Sequence, residues 1–91
     1  MKREVEVRTA FAAAYFSLSR TEQLKVERVI NLLKYSPKTR PEPLSVFKST
    51  RLPGHFIVRV TKDLRVIYHR AEPDRVVVKD MYRRTSKVGA L

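Results

Sequence analysis

The sequence predicts an α+β fold: a short N-terminal strand, an antiparallel helix hairpin, and a C-terminal three-stranded antiparallel meander on which the hairpin packs. Three observations carry this. Apolar residues recur at helical spacing through the first third of the chain and at strand spacing through the last third, and a run of prolines (Pro37, Pro41, Pro43) divides the two. At 91 residues the chain reads as a single domain over 1–91, because cores subdivide only well above this size.

Each element has its own signal. Glu4-Val5-Glu6-Val7-Arg8 alternates charged and apolar residues, the pattern of a short edge strand. Thr9 can cap a helix whose apolar stripe is Phe11, Ala14, Tyr15 and Leu18. Ser19-Arg20-Thr21-Glu22 is a capping-box pattern that starts a second helix, with Val26, Val29, Ile30 and Leu33 as its stripe. The prolines then break helical order, and Leu44 to Lys48 reads as either a helical turn or a short strand. After the turn signal Pro53-Gly54, three stretches rich in Val, Ile and aromatics read as strands: His55 to Thr61, Leu64 to Arg70 and Arg75 to Tyr82.

Composition narrows the function classes. Hydrophobic residues make up 43% of the chain, enough for one core and against disorder throughout. The absence of cysteine excludes disulfide scaffolds, thiol chemistry and cysteine-ligated zinc. His55 and His69 alone make no convincing metal site, so neither a metal nor a cofactor is expected. No apolar run approaches the roughly 20 residues needed to span a bilayer, and no signal-peptide core follows the basic start. An intracellular protein with no membrane partner is expected. Lys and Arg number 20 against 9 Asp and Glu, a formal net charge of +11. This favours nucleic acid or a ribonucleoprotein as partner.

Parity within the strands gives the charge a location. Burying Phe56, Val58, Val60, Leu64, Val66, Tyr68, Val76 and Val78 under the hairpin sends Arg59, Thr61, Arg65, His69, Lys79 and Arg83 to the other face, a basic shelf. This depends on register. A two-residue turn at Lys62-Asp63 would split Arg59 from Arg65 and expose half of one strand's apolar residues. A three-residue loop, Lys62-Asp63-Leu64, or a bulge keeps them together and is the expected solution.

The order of elements, with Phe56-Ile57-Val58-Arg59-Val60-Thr61-Lys62-Asp63-Leu64-Arg65-Val66-Ile67-Tyr68 in the meander, resembles the RelE/ParE superfamily of bacterial type II toxin–antitoxin toxins over nearly the whole chain. The resemblance implies a small cytoplasmic toxin held inactive by an antitoxin encoded beside it. RelE-type members are messenger-RNA endoribonucleases that cut in the ribosomal A site; ParE-type members poison DNA gyrase. Arg59 and Arg65 match basic positions of the family's hairpin, and Arg83 or Arg84 the basic residue ending its last strand. Two departures stand out. The tail Thr85-Ser86-Lys87-Val88-Gly89-Ala90-Leu91 lacks the Tyr or His common after that arginine, and Leu64 replaces an aromatic. Both weaken the nuclease assignment in favour of the ParE-like one.

Cutting RNA without a metal requires a deprotonated 2′-hydroxyl, a stabilised pentacoordinate phosphate and a protonated leaving oxygen. Arginine cannot be the base, but its planar fork suits phosphate, so Arg59, Arg65 and Arg83 are candidate transition-state stabilisers. His69 and Tyr82 are candidate proton carriers. Parity puts Tyr82 with Val76 and Val78, against the helices. Lys48, Arg51, Lys62, Lys79, Arg84 and Lys87 are candidate RNA contacts. His55 reads as a turn residue, Phe11 and Tyr15 as core, and Phe16, off that stripe, as facing either a partner or the loop of Pro37 to Pro43. An acidic antitoxin would complement the charge. The expected function is a ribosome-dependent endoribonuclease acting on mRNA; the alternatives are a gyrase inhibitor of the same fold and a non-catalytic RNA-binding or partner-binding module.

Overall fold

Alternation of charge and apolarity builds the first strand where the sequence places it, β1 (Glu4–Val7). The computed structural model describes residues 3–35, 41 and 43–84, so Pro37 and the tail from 85 onward lie outside the described residues. Two helices follow, α1 (Thr9–Phe16) and α2 (Arg20–Tyr35). Arg8, in extended conformation, takes the N-cap position of α1 without a side-chain cap, so Thr9 is the first helical residue and not the cap. The capping box at α2 forms as read. The Ser19 backbone N–H donates to Glu22 Oε1 at 3.2 Å, and the Glu22 N–H donates to Ser19 Oγ at 3.2 Å.

The other end of α2 is closed by the N-terminal segment. Buried Arg3 donates its backbone N–H to the Lys34 carbonyl at 2.7 Å and a guanidinium N–H to the Leu33 carbonyl at 3.5 Å. A cation is favourable there, because the last carbonyls of a helix lack partners and carry its negative pole. The hairpin is tied by the Tyr15 hydroxyl, which donates to Glu27, and by the Gln23 side-chain amide, which donates to the Tyr15 carbonyl at 3.1 Å.

Among the described residues four further strands complete the sheet: β2 (Ser45–Lys48), β3 (His55–Arg59), β4 (Leu64–Glu72) and β5 (Arg75–Arg83). Their order is β1-β5-β4-β3-β2, with β1 parallel to β5 and every other pair antiparallel. The meander thus has one strand more than the three expected. Leu44 to Lys48 resolves as a strand because Ser45 to Lys48 finds a ladder partner in β3. Gly54, with φ of 78°, supplies the left-handed residue of the turn before β3.

All eight residues assigned inward by parity lie in the core or against it, packed with Phe11, Val26, Val29 and Leu33 from the helices. The β3–β4 loop has three residues, as required, but one step earlier than expected. Arg59 pairs with Arg65, and the Val60 N–H donates to the Leu64 carbonyl at 2.9 Å, leaving Thr61-Lys62-Asp63 as the loop. Arg59 and Arg65 therefore share the face away from the helices.

One feature of β5 overturns the parity reading of its end. Tyr68 pairs with Val78 and Ile67 with Asp80, so Lys79 is bulged out of the ladder. Beyond the bulge the faces exchange. Met81, opposite Val66, and Arg83, opposite Leu64, turn to the helix side, while Tyr82, opposite Arg65, turns to the open face. Arg83 is thus not on the shelf, and Tyr82 is not packed under the helices; its exposure is 40% against 5% for Met81.

Candidate functional site

Register arranges the open face of the sheet in three cross-strand rows. At the loop end lie Ser45, Arg59, Arg65 and Tyr82; in the middle Phe47, Ile57, Ile67 and Asp80; at the far end His55, His69, Val77 and Glu6. The middle row floors a hollow of about 580 Å³, lined by Phe47, Ile57, Ile67 and Tyr82 together with Lys48 and Arg51. A basic row therefore borders one that is apolar apart from Asp80, a surface that can take a phosphate beside a flat ring.

The two arginines of the first row are held differently. Arg59 is exposed and makes no ion pair among the described residues. Arg65 is only 5% exposed, and its Nη1 donates to the carbonyls of Thr61 and Lys62 at 3.1 Å each and of Leu64 at 3.4 Å. Two carbonyls of the loop and the first of β4 therefore converge on one guanidinium nitrogen, which makes Arg65 a strut of that loop as well as a member of the row. Its Nε is buried with no hydrogen-bond partner among the described residues.

Arg83 closes a separate cluster on the other face. Its Nη2 donates to both Glu22 oxygens at 2.9 Å, and its Nη1 to Asp63 Oδ2 at 3.2 Å. Asp63 also accepts the Thr61 hydroxyl at 3.0 Å, and its carbonyl accepts the Arg84 N–H at 2.6 Å. The Arg83 bond, aided by the Ser19 N–H, holds the Glu22 carboxyl below its ordinary range. The Thr61 hydroxyl, with Arg83 next, does the same for Asp63. Glu22 in turn raises the Arg83 guanidinium. Two carboxylates thus balance Arg83, which joins the start of α2, the β3–β4 loop and the end of β5.

The histidines face each other, with His55 paired across the ladder to His69 and ring centroids 4.7 Å apart. Burial lowers the His69 pKa, and His55, Lys79 and Arg8 push it the same way against the pull of Glu6. At about 3.3 Å per strand residue, His69 stands roughly 13 Å along β4 from Arg65, out of reach of a phosphate gripped by the first row. His55 sits at the turn as expected, its Nδ1 3.1 Å from the Pro53 carbonyl.

Of the other expected contacts, Lys62 is exposed in the loop, Arg84 is exposed after β5, and Lys79 is the bulge residue beside His69. Lys87 lies outside the described residues. Ser45 and Phe47 join the face without having been anticipated. Their alternation with Val46 is the signal that could have placed them, but a run this short does not choose its own face.

No protein-family model and no curated protein matches the chain. Solved structures do. A chain of the archaeal RelE–RelB complex from Pyrococcus horikoshii OT3 superposes with a TM-score of 0.76 at 20% identity, covering 94% of this chain and 99% of that one. The isolated E. coli RelE toxin gives a TM-score of 0.73 at 13% identity, covering 97% and 90%. A YoeB/ParE toxin from Agrobacterium tumefaciens gives 0.68 at 17% identity, covering 90% and 99%. With agreement of this extent, the protein, whose described residues form two helices on a five-stranded sheet, shares the fold of these RelE and YoeB/ParE chains.

Proposed function

We propose that the protein is the toxin of a type II toxin–antitoxin pair and acts in the cytoplasm as an endoribonuclease on ribosome-bound messenger RNA. The observation that carries this reading is the row Arg59–Arg65–Tyr82 bordering an apolar hollow on an open sheet face. Its cations suit a phosphate, the apolar hollow with Phe47 a base, and Tyr82 brings an exchangeable proton into line with both. The likeness in fold to RelE chains solved with RelB and to a YafQ chain solved with DinJ supports the toxin role and an antitoxin partner. An acidic antitoxin would match the net charge of +11.

In this reading the 2′-oxygen attacks the adjacent phosphorus and the bond to the 5′-oxygen breaks. The products are a 2′,3′-cyclic phosphate and a 5′-hydroxyl. The 2′-hydroxyl loses its proton to solvent, and the Tyr82 phenol protonates the leaving oxygen. Arg59 stabilises the charge that grows on the phosphate, and Arg65 orients the loop and the row. His69 has no part, being too distant, and Arg83 serves the clamp with Glu22 and Asp63.

A second reading, a gyrase inhibitor of the same fold, is favoured by one observation: the Arg83 charge is balanced by two carboxylates, which leaves a nuclease short of one cation. Primer-extension mapping of translated messages after induction separates the two. Cuts in codon register that vanish in Arg59→Ala support the nuclease. Growth arrest with intact messages and a DNA-damage response supports the gyrase inhibitor. Absence of toxicity without an antitoxin refutes both.

A further inference from the structure

We propose that the helix layer carries a second RNA contact, a cationic cleft in which Lys25 and Arg28 of α2, with Arg59 of β3, hold a backbone phosphate of the bound RNA. This rests on the RNA-directed reading above and extends the interface to residues to which the sequence pattern assigned no role.

The cleft, of about 300 Å³, lies between α2 and the start of β2. Val29, Leu44 and Val60 line it, Ser45 borders it, and Lys25, Arg28 and Arg59 are its charged residues. Lys25 and Arg28 stand three residues apart, on one face of the helix, and like charges at that spacing repel. No carboxylate relieves them. Glu22, one turn before Lys25, is bonded to Arg83 and Ser19, and one turn beyond Arg28 come Asn31 and Leu32. Among the described residues, Lys25, Arg28 and Arg59 make no ion pair, whereas Arg8, Arg20, Arg75 and Arg83 are each paired with a carboxylate. Three cations without a carboxylate partner among the described residues thus stand around one concavity.

Arg59 also explains the direction of the surface. It belongs to the first row of the open face through its pairing with Ser45 and Arg65, and it lines the cleft as well. Positive charge therefore runs continuously from the open face, around the β2–β3 end of the sheet, to α2. An RNA strand leaving the row at Arg59 meets Lys25 and Arg28 next. Phosphate is the group that suits such a cleft, since it can accept hydrogen bonds from several cations together.

The test uses the full chain and a fluorescent single-stranded RNA, with binding measured across a range of salt concentrations. The double variant Lys25→Gln/Arg28→Gln is compared with Lys34→Gln/Arg70→Gln, which removes the same charge away from the cleft. Thermal melts of both confirm that they fold. Loss of two phosphate contacts should reduce the salt slope by about 1.4, at roughly 0.7 per contact for a single strand. Affinity at low salt should fall at least tenfold, with the control pair within threefold of wild type. Equal losses in both pairs would overturn the proposal, reducing it to net charge, and so would an unchanged slope in the cleft pair. If the wild-type chain itself binds no free RNA, the cleft proposal falls, while the reading on ribosome-bound messenger RNA is decided by primer extension; if it binds and only the cleft pair is silent, that reading stands without the cleft.

Discussion

Replacing Met81 with alanine should destabilise the protein far more than replacing its neighbour Tyr82, although an unbroken strand would give the opposite order. The difference follows from the bulge at Lys79. Met81 is 5% exposed and lies opposite Val66 in the core, whereas Tyr82 is 40% exposed opposite Arg65. Truncating a buried methionine to alanine removes its packing and leaves a cavity, at a cost of about 2–5 kcal/mol. In a domain of this size that lowers the melting temperature by about 10 °C or more. Tyr82→Ala removes a ring from a solvated face and should cost within about 1 kcal/mol. Urea denaturation followed by circular dichroism measures both, with unchanged m-values confirming a common unfolded state. A greater loss in Tyr82→Ala than in Met81→Ala would mean that β5 runs without the bulge, with Arg83 on the open face after all.

Two other outcomes follow from the same geometry. Arg65→Ala should lower stability by on the order of 2–4 kcal/mol, because two loop carbonyls and that of Leu64 lose a charged donor, while Arg59→Ala should leave the melting temperature unchanged within error; equal melts would refute the strut role. The Arg83 clamp makes an acid-sensitive contribution. The Glu22 and Asp63 carboxyls are held below their ordinary range when folded, so the stabilisation is present at neutral pH and is lost as pH falls through their folded-state values, below about 4. The stability gap between wild type and Arg83→Gln should therefore narrow in acid, and a gap constant from pH 7 to pH 3 would contradict the clamp.

The parts of the fold written in local chemistry were legible. The capping box needs only Ser19 and Glu22, and the inward set from Phe56 to Val78 needs only alternation. The same alternation joined Arg59 to Arg65, because splitting them would have exposed half a strand of apolar residues. What escaped depends on partners distant in sequence. Nothing within Val76-Val77-Val78-Lys79-Asp80 marks Lys79 as the extra residue; its bulging is decided by matching Met81 to Val66 across the ladder. That one residue exchanged the places of Tyr82 and Arg83 and so changed the candidate site. Likewise Ser45 to Lys48 becomes a strand only because β3 offers it an edge, and the burial of Arg65 depends on the loop carbonyls that fold back onto it.

The most direct test is single-turnover cleavage of messenger RNA on purified ribosomes by wild type and Tyr82→Phe. The wild-type chain should cut, and loss of the phenolic proton should slow the cut by about 10²–10⁴-fold with no change in the melting temperature. Absence of wild-type cleavage, or cleavage by Tyr82→Phe at the wild-type rate, would contradict the assignment of the Arg59–Arg65–Tyr82 row as the centre of an RNA-cutting site.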